Sequence, residues 1–89
     1  MYELKNYMED VVYQTLQDFL SKNQISCSCE RCQADIMTLA LNQLPPRYYS
    51  SSEGQIMMQL KVKEDLTLVM TEVIRAAQMI SDSPSHPIN

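Results

Sequence analysis

Cys27-Ser28-Cys29-Glu30-Arg31-Cys32 is the stretch on which the fold turns. Three thiols within six residues, at the start of a helical pattern, can converge on one point. Zinc takes four ligands in a tetrahedron and favours thiolates. A disulfide between Cys27 and Cys29 would close a very tight ring and leave one thiol over. The amides at the start of the following helix also favour thiolate. The polar Ser28 and Glu30 argue against a plain core stretch, so the pattern C-x-C-x2-C reads as a metal knot. Candidates for the fourth ligand are His86, which is the only histidine, Glu30, Asp35, a water, or a group from a neighbouring chain. A catalytic zinc needs a bound water and an acid or base in a cleft. Nothing beyond Glu30 and Asp35 suggests one, and the metal reads as structural.

Amphipathic helices flank the knot. Before it, Leu4, Tyr7, Met8, Val11, Val12, Thr15, Leu16, Phe19 and Leu20 recur at three-and-four spacing, which predicts a helix over Glu3 to Ser21. Glu9, Gln14, Gln17 and Asp18 fall on its wet side, and Ser21-Lys22-Asn23-Gln24 ends it. After the knot, a second helix is expected from near Cys32 through Ile36, Met37, Leu39, Ala40 and Leu41 to about Gln43. Pro45 and Pro46 stop it. Arg47-Tyr48-Tyr49 reads as a connector. Ser50 and Glu53 have the spacing of a capping box, so a third helix should begin there and run to about Ile80. At about 1.5 Å per residue it would be about 40 Å long. Within it Val62, Leu66, Val69, Val73, Ala76 and Ile80 alternate by four and three. That stripe exceeds what two shorter helices can easily cover, so packing against the same helix of a second chain is expected.

The totals agree with a small all-α protein. The chain has 89 residues, one domain's worth, with a single Gly to serve tight turns. A core this small gives limited stability, which makes a metal or partner chain a reasonable expectation. The net charge of −4 argues against wrapping duplex nucleic acid, which needs a basic face. No apolar run approaches the roughly 20 residues of a bilayer span. No signal-peptide core is visible at the N-terminus, so the cytoplasm is the default compartment, and thiols there stay reduced. Residues 1–83 are expected to form one helical domain and 84–89 a tail that folds back to the metal.

Other chemistry is sparse. There is no Gly-rich phosphate loop, no G-x-S-x-G and no H-E-x-x-H, and the protein reads as a binding protein with no catalytic residues. Lys5 and Glu9 are four apart, as on one helix face. Leu44-Pro45-Pro46-Arg47-Tyr48 presents an Arg beside an aromatic ring, a pairing that can clamp a phosphate and stack a base.

Taken in order, Lys5-Asn6-x-x-Glu9-x-Val11-Val12, Cys27-x-Cys29-x-x-Cys32-x-x-Asp35-Ile36 and Leu39-Ala40-Leu41-Asn42-x-Leu44-Pro45-Pro46-Arg47-Tyr48 resemble the bacterial late-competence ComFB family. The likeness covers nearly the whole chain, including the exit Ile80-Ser81-Asp82-Ser83-Pro84. It implies a helical homodimer with one structural zinc per subunit, held by Cys27, Cys29 and Cys32. The family's site looks to be completed by a residue after the last helix. This chain has no fourth cysteine, which raises His86 as the substitute. The resemblance also implies a receptor for a cyclic dinucleotide. Lys5 and Arg47 would then meet phosphates, Glu9, Asp35 and Asn42 guanine edges, and Tyr48 a base face, with Asn6 completing the set. The alternative is an adaptor that docks a protein partner on its helical surface.

Overall fold

The computed structural model describes residues 3–83. In chain order these are strand β1 (Lys5–Asn6), helix α1 (Tyr7–Lys22), helix α2 (Glu30–Asn42), strand β2 (Tyr48–Tyr49) and helix α3 (Ser52–Asp82). The expected three-helix architecture, with the last helix longest, is present. His86 and the rest of the 84–89 tail lie outside the described residues.

Helix α1 starts four residues later than its apolar spacing predicts. Asn6 has an extended backbone, and its Oδ1 accepts the Met8 N–H at 3.2 Å, capping the helix. The same oxygen accepts the Arg47 N–H at 2.8 Å, and the Tyr7 N–H donates to the Arg47 carbonyl at 2.7 Å. The residues ahead of the helix therefore pair antiparallel with β2, Lys5 opposite Tyr49 and Asn6 opposite Tyr48. Tyr7 and Tyr49 pack edge to face, with ring centroids 6.2 Å apart. Lys5 sits in β1, so it does not share a helix face with Glu9, as the four-residue spacing had suggested.

Helix α2 opens two residues earlier than expected, because Cys29 takes the cap position with extended backbone and its carbonyl accepts the Gln33 N–H at 2.9 Å. It stops at Asn42, where Gln43 and Leu44 close the last turn onto the Ala40 and Leu41 carbonyls ahead of the prolines. Helix α3 is capped by Ser51, one residue beyond the predicted Ser50, with its hydroxyl accepting the Gly54 N–H at 3.0 Å. A Cβ at Gly54 would lie 3.2 Å from that hydroxyl and 3.3 Å from the Tyr49 Cβ, which explains the glycine there. At about 1.5 Å per residue, the 31 residues of α3 account for the longest dimension of the molecule, 46 Å.

The core joins Met8, Val12 and Leu16 of α1 and Cys32, Ile36 and Ala40 of α2 to Val62, Val69, Val73, Ala76, Ala77 and Ile80 of α3. This corrects the assignment of the α3 stripe. Val62, Val69, Val73, Ala76 and Ile80 are covered by the chain's own α1 and α2, and of that stripe only Leu66 is exposed, at 51%. The two short helices lie along one side of α3 and together cover it. Apolar side chains are also left to solvent on the flanks and far side of α3. Ile56, Leu60 and Met70 are exposed there, and the half-buried Ile74 continues the same four-and-three spacing through Lys63 and Thr67.

Candidate metal centre and ligand face

The cysteine segment is held from both sides. Gln33 donates through Nε2 to the Ser28 carbonyl at 2.7 Å and accepts from Gln17 Nε2 of α1 at 2.8 Å. The Ser26 N–H donates to Ser81 Oγ at 3.0 Å, and the Ser26 hydroxyl donates to the Ser81 carbonyl. The chain that leaves α3 therefore starts beside the cysteines. Neither clamp was visible in the sequence, since a Gln or Ser pairs equally well with water and only the fold selects its partner.

Cys29 caps α2, Cys32 lies in the first turn, and Cys27 sits in the loop ahead of them. The three Sγ atoms all lie within 4.8 Å of one another, and no disulfide joins them. A tetrahedral zinc with Zn–S bonds of roughly 2.3 Å holds its sulfurs roughly 3.8 Å apart. A small inward shift of side chains brings the cluster to that spacing. The donor set is all sulfur and suits a thiophilic cation such as zinc. Among the described residues no carboxylate joins the group, which leaves Glu30 and Asp35 outside it. Cys27, Cys29 and Cys32 thus fit three corners of a closed site, and a metal held there would stabilise the turn at the head of α2.

Burial pushes the Cys32 thiol up from its ordinary 9.0 to about 12, and the neighbouring Cys27 and Cys29 add to the shift. Thiolates gathered this closely repel one another, and a bound cation inverts that preference. The sign of the pH effect follows. With no metal the folded protein holds the Cys32 proton more tightly than the unfolded chain does. That stabilisation is fully present below pH 9 and is lost as pH rises from about 9 to about 12. In metal-free protein the helical signal that remains should fall further as pH rises across this range, which circular dichroism follows. Zinc-loaded protein should instead weaken on the acid side, where protonation of the thiolates releases the ion.

A second group of residues lies around the ladder. Pairing of β1 with β2 brings Lys5, Asn6, Arg47 and Tyr48 together, with Glu9 exposed in the first turn of α1. Tyr48 is exposed and Arg47 half-buried. The Arg47 Nε donates to Asp65 Oδ2 of α3 at 2.9 Å, and its Nη1 donates to the Pro46 carbonyl at 3.2 Å. Asn6 is built into the helix cap and the Arg47 backbone. Asp35 and Asn42 are seven apart on α2, on the flank that carries Leu39 between them. The exposed Asn42 donates to the Thr38 carbonyl at 2.8 Å. No helix of the described residues is long and apolar enough to cross a membrane.

Fold and site together define a class: a short three-helix domain whose middle helix opens on converging thiols, with a cation and an aromatic ring carried by a small ladder at the start of its first helix. The chain belongs to the ComFB family, for residues 5–84 match the family described as late competence development protein ComFB. It is 27% identical over 84 residues to competence protein ComFB of Bacillus subtilis (strain 168), covering 92% of this chain and 86% of that one. It is also similar to the solved structure described as the late competence protein ComFB from Bacillus subtilis. That likeness has a TM-score of 0.81 and 26% identity and covers 93% of both chains.

Proposed function

We propose that this protein is a non-enzymatic, zinc-containing homodimer of the bacterial cytoplasm that binds a cyclic dinucleotide and serves signalling connected with competence. The observation that carries the ligand reading is the β1–β2 ladder, which gathers Lys5, Asn6, Arg47 and Tyr48 from the two ends of the first half of the chain. Lys5 and Arg47 supply positive charge for phosphates in an otherwise acidic protein, and the Tyr48 ring is open for stacking. Glu9, Asp35 and Asn42 offer polar groups for base edges. In an acidic protein these few placed cations suit a small anion better than a duplex.

Cys27, Cys29 and Cys32 hold the zinc in this reading, and His86 supplies the fourth ligand from the segment that follows α3. The Ser26–Ser81 hydrogen bonds support that choice, because they start the segment next to Cys27. A second copy covers the Ile56, Leu60 and Met70 face of α3. Calorimetry with cyclic di-GMP and cyclic di-AMP tests the ligand. Binding should be saturable and weaken with salt, and Arg47→Ala should reduce affinity at least about tenfold through loss of a charge-assisted contact. Absence of heat with both ligands would remove the proposal. The exposed face of α3 also favours a second reading, an adaptor that docks a protein partner there with no nucleotide. Retention of monomer mass in the purified protein, together with no nucleotide binding, would turn the case to that reading.

A further inference from the structure

Between the C-terminal end of α2 and the C-terminal third of α3 lies a cavity of about 180 Å³, lined by Leu39, Gln43, Glu72, Arg75, Ala76 and Met79. Glu72 is the only charged residue among the buried ones described, 7% exposed. Its Oε1 accepts from Arg75 Nη1 at 3.3 Å, and the Arg75 side chain is 63% exposed. A guanidinium lying in solvent one turn along the same helix offsets little of the cost of burying a carboxylate. The pair instead presents an acceptor at the floor of the cavity and a movable donor at its rim.

The cavity is smaller than the roughly 300–1,000 Å³ of pockets that take whole drug-sized molecules, so it suits one planar group of a larger ligand. Leu39, Ala76 and Met79 supply apolar surface for the faces of such a ring. Guanine offers N–H donors along one edge and the O6 and N7 acceptors beside them. Adenine lacks that donor pair and presents a ring acceptor that a carboxylate repels. Position links the cavity to the ladder. Asp65, Leu68, Glu72, Arg75 and Met79 follow one another by three and four along α3, so they share a stripe, and Asp65 holds Arg47. Seven residues separate Asp65 from Glu72, about 10 Å along the helix, so a phosphate at Arg47 and a base in the cavity can belong to one molecule.

We infer that this cavity receives a guanine base of the ligand, with Glu72 accepting from N1–H and N2–H and Arg75 donating to O6. The inference rests on the nucleotide reading above and adds to it a base preference with two residues that set it. Calorimetry with cyclic di-GMP and cyclic di-AMP on wild type, Glu72→Gln and Arg75→Met tests it, with helical content of each variant checked by circular dichroism. Wild type should prefer cyclic di-GMP. Both variants should lose at least about tenfold in cyclic di-GMP affinity, the lower end for a bidentate base contact. Toward cyclic di-AMP, Arg75→Met should change little, and Glu72→Gln, which removes the repelling charge, should bind no more weakly than wild type. Arg75 is a surface residue, so its variant keeps the test valid should Glu72→Gln fail to fold. The Met79 methyl resonance of wild type should shift with guanosine monophosphate and not with adenosine monophosphate. Equal losses for both ligands, unchanged preference, or an unmoved Met79 signal would overturn the base assignment while leaving nucleotide binding intact. No binding of any cyclic dinucleotide would overturn both.

Discussion

If Cys27, Cys29 and Cys32 hold zinc as proposed, replacing Cys29 by serine should lower the melting temperature by more than about 10 °C and the zinc content with it, although the Cys29 side chain is exposed. A surface substitution of this size that touches nothing is worth about 0.5 kcal/mol or less. At about 4–8 °C per kcal/mol for a domain of this length, that is a shift of a few degrees. A ligand is different. In small zinc-dependent folds the metal contributes about 10–16 kcal/mol of apparent binding energy, which is as large as the whole stability of a typical domain. Forfeiting even a quarter of it amounts to about 3 kcal/mol. Cys32→Ser is a poorer test, because Cys32 is fully buried and its loss perturbs the core whether or not it holds metal. Melting curves and zinc content of Cys29→Ser check the prediction, and an unchanged melting point would deny the cluster its structural role.

The two faces of α3 give the second large effect. Val69→Asp should not fold at all. Val69 is 0% exposed between the helices, and an unpaired carboxylate there costs several kcal/mol on top of the lost packing. Leu60→Asp, on the opposite face where Leu60 is 54% exposed, should leave the helical signal intact and halve the sedimenting mass. Circular dichroism and analytical ultracentrifugation distinguish the two. A Val69→Asp protein that folds would contradict the core described above, and a Leu60→Asp protein of unchanged mass would contradict the proposal that a second copy covers this face.

The three helices were legible because each carries a long apolar period. Which helices cover the α3 stripe was not. Val62, Val69, Val73 and Ile80 have the same four-and-three spacing as a coiled-coil seam, and the pattern alone does not say whether α1 and α2 or a second chain will cover them. The smaller stripe of Ile56, Leu60, Met70 and Ile74 is interrupted by Lys63 and Thr67, which masked it. The ladder escaped notice for a related reason. Two residues have no period to detect, and the pairing of Asn6 with Tyr48 is fixed by contacts across more than forty positions, among them the Arg47 N–H bond to Asn6. Of the site, the cysteines were readable, since three thiols within six residues can converge on one cation. Arg47 stood out beside its prolines, but its hold on Asp65 did not. Glu72 looked like one more surface acid on a charged helix, and only the approach of Leu39 and Gln43 from α2 closes a cavity over it.

Elemental analysis of the purified protein, followed by circular dichroism as a strong chelator is added, probes the thiolate knot itself. We expect one zinc per chain and loss of helical signal as the ion is withdrawn. A protein that arrives without metal and melts as a cooperative, fully helical domain would show that the three sulfurs merely neighbour one another.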